Sequence, residues 1–83
     1  MYEIRYWDDA MAYLWNCGAQ ERVRLNEGIH EHLPIGPIPP NPCEIEELPG
    51  GGYRAFVEHH QVLYTQDDEK EIINVYCLKR SGG

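Results

Sequence analysis

Four cations sit where strands are expected, Arg5, Arg54, Lys79 and Arg80. A guanidinium on a sheet face can hold a phosphate through two parallel hydrogen bonds and stabilise charge that grows in a transition state. A cluster of them is therefore a candidate phosphoryl-transfer site, set against the plainer reading of a solvated sheet face. The four histidines suit metal binding poorly. His30 and His32 lie two apart on an expected helix and face different sides, while His59 and His60 are adjacent at a hairpin tip. No ligand set at zinc spacing results, so neither a metal nor a cofactor is expected. Cys17 has no sequence feature that brings a histidine to it and reads as a packing cysteine. Gly50-Gly51-Gly52 is no phosphate loop, because no Lys-Ser or Lys-Thr and no helix start follow it.

The elements that must carry these residues follow from periodicity. Tyr2, Ile4 and Tyr6 alternate as one face of a first strand. Trp7, Ala10, Met11 and Leu14 then recur at helical spacing, with Asp8 placed to cap the helix and Gly18 to stop it. A second helix is predicted from Ala19 to Leu33 on the spacing of Leu25, Ile29 and Leu33, ended by Pro34. Gly28 within it costs roughly 1 kcal/mol relative to alanine. The stretch from Pro34 to Pro42 holds five of the six prolines and reads as a stiff linker, with polyproline recognition by an SH3-like groove the minor alternative. Four strands follow: Cys43 to Leu48, Tyr53 to Glu58, Gln61 to Gln66 and Glu71 to Lys79. Turns fall at Pro49–Gly52 and Asp67–Lys70. Along the last strand Ile73, Val75 and Cys77 are placed on one face, against Ile72, Asn74 and Tyr76 on the other.

The expected fold class is therefore α+β in the order β-α-α-β-β-β-β, two N-terminal helices packed on one face of a twisted, mainly antiparallel sheet. Trp7, Leu14, Ile29, Leu33, Val62, Tyr64, Ile73 and Val75 are the expected core. Eighty-three residues fit one domain, taken as 1–80 with a flexible tail at 81–83. Fourteen acidic against seven basic residues give a net charge of −7, which argues against direct non-specific binding of nucleic acid. No apolar run is long enough to span a membrane, and the acidic start MYEIRYWDD is unlike a secretory signal. Three cysteines without a CxxC read as reduced thiols, and a cytoplasmic location is expected.

Leu48-Pro-Gly-Gly-Gly-Tyr53-Arg54, Gln61-Val-Leu-Tyr64, Asp67-Asp68 and Ile73-Asn-Val-Tyr-Cys-Leu-Lys79-Arg80, in this element order, resemble the RelE/ParE superfamily of bacterial toxins from about Tyr2 to Arg80. The resemblance implies the toxin of a type II toxin–antitoxin pair, bound and silenced by a cognate antitoxin. RelE-like members cleave mRNA in the ribosomal A site, and ParE-like members poison DNA gyrase. Of the RelE-like basic residues, Arg54 and Arg80 match. Phe56 and Gln61 stand where two others are expected, and the C-terminal tyrosine has no counterpart before Ser81-Gly82-Gly83. Arginine does not exchange protons near neutral pH, so cleavage by this chain would need His59 or His60. The candidate catalytic set is thus Arg54, Arg80, His59 and His60, and the partner-binding set is Arg54, Arg80, Phe56 and Gln61, with one antitoxin segment covering both arginines. Three readings stand: a toxin acting by protein binding, a ribosome-dependent mRNA endonuclease, and an adaptor that keeps the fold without the toxicity.

Overall fold

The computed structural model describes residues 2–33 and 45–81, so the proline-rich linker, Cys43 and the last two residues of the expected tail lie outside the described residues. Strand β1 (Glu3–Tyr6) leads into helices α1 (Asp8–Asn16) and α2 (Ala19–His32), and β2 (Ile45–Glu47), β3 (Tyr53–Val57), β4 (His60–Asp67) and β5 (Ile72–Arg80) complete the order. The five strands form one sheet ordered β1-β5-β4-β3-β2, parallel only between β1 and β5. Both helices pack on one face of it. Leu14 from α1, Leu25 and Ile29 from α2 and Leu33 at its C-cap close over Ala55, Val57, Val62, Tyr64, Ile73, Val75 and Leu78.

Three local expectations are corrected. Trp7 is 54% exposed and outside the core, because α1 buries the stripe Ala10–Leu14 and turns Trp7, Met11 and Trp15 outward. Trp7 rather than Asp8 is the N-cap residue, and it makes no side-chain cap. Asp8 and Asp9 occupy the first turn, where the positive end of the helix dipole favours carboxylates. Cys17 ends α1 and donates its N–H to the Tyr13 carbonyl, while Gly18, expected to stop that helix, instead starts α2.

The helices approach the sheet closely at one place. A Cβ added to Gly28 would lie 2.6 Å from Val57 Cγ1, so the glycine that weakens α2 in isolation is what lets it lie against β3. The β2–β3 turn needs Gly50 and Gly51 at φ +93° and +98°, conformations open to glycine. The β3–β4 hairpin has only two turn residues, Glu58 and His59, and both take positive φ, +49° and +63°.

Strand β5 carries a bulge. Leu63 pairs with Cys77 but Tyr64 pairs with Val75, leaving Tyr76 as an extra residue. Beyond it the alternation reverses, so Leu78 rather than Cys77 joins Ile73 and Val75 in the core.

Candidate functional site

That reversal decides where the arginines stand. On β3, Ala55 and Val57 face the helices, which puts Arg54 and Phe56 on the open face; the register adds Gln61, Leu63 and Lys79 beside them. The Arg54 guanidinium is paired with the Glu46 carboxylate on β2 and lies over the Phe56 ring, 5.9 Å from its centroid. Arg80 falls two residues after Leu78, on the helix side. Its Nη2 donates to Glu21 Oε1 of α2 at 2.5 Å. The two arginines expected under a single partner segment thus lie on opposite faces of the sheet.

His60 pairs with Arg80 across the β4–β5 ladder and is buried, with 1% of its surface exposed. Its Nδ1 lies 2.8 Å from the Glu58 carbonyl, an acceptor only, which assigns the proton to Nδ1. In the neutral ring Nε2 then accepts from the Tyr13 hydroxyl at 2.8 Å, with Glu21 Oε1 3.3 Å away and the two rings edge to face. Desolvation first, and the Glu21 charge second, raise the pKa of the Tyr13 hydroxyl above its ordinary value, so the phenol keeps the proton it donates. His59 projects from the hairpin into solvent. It borders a groove of about 590 Å³ that is also lined by Gly18, Gln20, Arg24, Glu58 and Arg80.

The structure therefore gathers Arg80, His60 and His59 at the end of the sheet beside the α1–α2 turn, and leaves Arg54, Phe56 and Gln61 on the other side. Tyr13 and Glu21 are members of this cluster that sequence reasoning missed. No pattern signals them, because Tyr13 and His60 are 47 residues apart and Glu21 reads as one charge on a solvated helix face.

No protein-family profile and no curated protein matches this sequence. Solved structures do. The archaeal RelE–RelB complex from Pyrococcus horikoshii OT3 contains a chain that superposes with a TM-score of 0.70 at 22% identity, over 98% of this chain and 96% of that one. The intact Escherichia coli RelBE toxin–antitoxin complex contains another, with a TM-score of 0.60 at 16% identity over the whole of both chains. The chain has a RelE-like fold.

Within that RelE-like fold, no three His, Cys, Asp or Glu side chains among the described residues are grouped to hold a metal ion. No helix among them is long and apolar enough to cross a membrane. Cys17 and Cys77 are free thiols, and the Cys17 Sγ donates to the Leu14 carbonyl at 3.2 Å.

Proposed function

We propose that this chain is the toxin of a RelE-type toxin–antitoxin pair that acts by binding a protein target and is neutralised by a cognate antitoxin. The likeness to chains taken from RelE–RelB complexes supports the pairing. Protein binding rather than RNA cleavage is carried by one observation: each arginine expected to grip a phosphate is already held by a carboxylate of its own chain, Arg54 by Glu46 and Arg80 by Glu21. Around Arg54 the open face offers Phe56, Gln61 and Leu63, none of which transfers protons, and the Lys79 ammonium beside Gln61 as the basic side chain of the register. The imidazole nearest Arg80 is sealed by Tyr13 and Glu58. The charge of −7 points away from ribosomal RNA and toward a protein such as DNA gyrase. Such a toxin acts in the cytoplasm, where Cys17 and Cys77 stay reduced.

The second reading, an mRNA endonuclease, is favoured by exposed His59 in a groove with Arg24 and Arg80. Expression in a bacterial host, with parallel assays on translating ribosomes and on gyrase supercoiling, separates the readings. Growth arrest relieved by the co-expressed antitoxin, without A-site cleavage, is the expected result. A-site cleavage that falls about 10²–10⁴-fold in a His59→Ala variant assigns the endonuclease instead. No arrest at all leaves the adaptor role.

A further inference from the structure

The outer side of the helical layer carries apolar surface that the sheet does not use. Trp7, Met11 and Trp15 recur every four residues along α1 and are 54%, 39% and 67% exposed, and Val23 of α2 is 53% exposed. Large apolar side chains gathered in this way on so small a chain mark a contact surface. Two depressions of different chemistry adjoin there. The first, of about 440 Å³, is walled by Tyr6, Trp7 and Tyr76 and rimmed by Asp8 and Asp9. The second, of about 300 Å³, runs between α1 and α2 over Met11, Leu14, Trp15 and Val23. Tyr6 borders both, and its hydroxyl donates to Asn26 Oδ1 at 2.8 Å, which fixes the wall between them.

The chemistry of each depression selects its occupant. The Trp7 and Tyr76 rings meet at 49° with centroids 6.1 Å apart, an aromatic notch with two carboxylates at its edge. Such a notch suits a guanidinium or ammonium group, which ring faces and carboxylates both attract. The neighbouring groove suits a branched aliphatic side chain. At its far end the Arg22 guanidinium lies 4.8 Å from the centre of the Trp15 ring, so the surface is acidic at one end and basic at the other. Trp7 and Met11, which floor the two depressions, are one helical turn apart, the spacing at which a helix lying alongside α1 presents its own residues i and i+4.

We propose that this face of α1 and α2 docks an amphipathic helix of a partner protein. That helix places an arginine or lysine in the Trp7–Tyr76 notch and, four residues on, a leucine-like side chain in the groove, with its negatively charged end toward Arg22. The net charge of −7 adds long-range attraction for such a cation.

Three blocked, alanine-based helical peptides test this against the full chain by NMR titration: one with Arg and Leu four apart, one with Glu in place of Arg, one with Ala in place of Leu. The Arg/Leu peptide is expected to shift the indole signals of Trp7 and Trp15 and the amide of Tyr6, and to bind at least about tenfold more tightly than either control. Added salt and the double change Asp8→Asn, Asp9→Asn should each weaken it, and the melting temperature of the variant checks that α1 is intact. Equal binding of the Glu peptide, or no shift at these residues at millimolar peptide, overturns the proposal. So do shifts that grow with protein concentration alone, which would show a second copy of the chain covering the face.

Discussion

At the scale of single residues, His60 is held from both sides: in the neutral ring its Nδ1–H donates to the Glu58 carbonyl and its Nε2 accepts from the Tyr13 hydroxyl. A buried acceptor left without its donor costs about 1–3 kcal/mol. Tyr13→Phe is therefore expected to lower stability by that amount in chemical denaturation while leaving the secondary structure unchanged. Asp68 provides a second residue-scale expectation. The Tyr2 hydroxyl, donating at 2.8 Å, and then the Gln66 amide hold its carboxyl below the ordinary value of 3.8. A carboxyl more acidic in the fold than in the unfolded chain stabilises the fold above the unfolded value, and that stabilisation fades as pH falls through the lower, folded value. Tyr2→Phe should move the Asp68 midpoint, followed by NMR, back up toward 3.8 and should leave stability at neutral pH less dependent on this carboxyl. Arg54, Arg80 and both hairpin histidines were legible in the sequence as residues capable of chemistry. The placing of Arg80 on the face opposite Arg54 was not, because it depends on one extra residue in β5.

At the scale of elements, periodicity located both helices and all the described strands, since apolar spacing records which face is buried. It misplaced Trp7 because Trp7, Met11 and Leu14 satisfy the helical template as well as the true stripe Ala10–Leu14 does, and only the packed sheet chooses between them. It misplaced Cys77 because alternation carries no mark of a bulge. The β3–β4 hairpin closes through Glu58 and His59 at positive φ, where asparagine and glycine are favoured. Replacing the pair with Asn-Gly is expected to raise stability by about 1 kcal/mol or more, read from the denaturation midpoint. Gly28→Ala should act in the opposite direction. Its gain in helix propensity is outweighed by a methyl 2.6 Å from Val57 Cγ1, an overpacking that costs about 1–3 kcal/mol. The paired change Gly28→Ala, Val57→Ala should recover much of that loss if steric contact is its cause.

At the scale of the whole molecule, net charge and topology govern behaviour. With −7 on 83 residues, a labelled single-stranded RNA is expected to show no binding below about 10⁻⁴ M at physiological salt, by fluorescence anisotropy. Sub-micromolar binding would count against a protein target. The position of β5 between β1 and β4 has a consequence in time. The strand against which the first strand lies, and on which α1 chiefly packs, is the last to be made. While the ribosome is still adding residues 72–80, β1 lacks its partner and the apolar stripe of α1 lacks its floor. Closure of the sheet then joins segments some seventy residues apart, a slow class of folding step. The folded surfaces described above therefore cannot exist on the growing chain. They arise only once synthesis of the sheet is complete, which gives any protein that grips the unfolded chain an interval in which to reach it first.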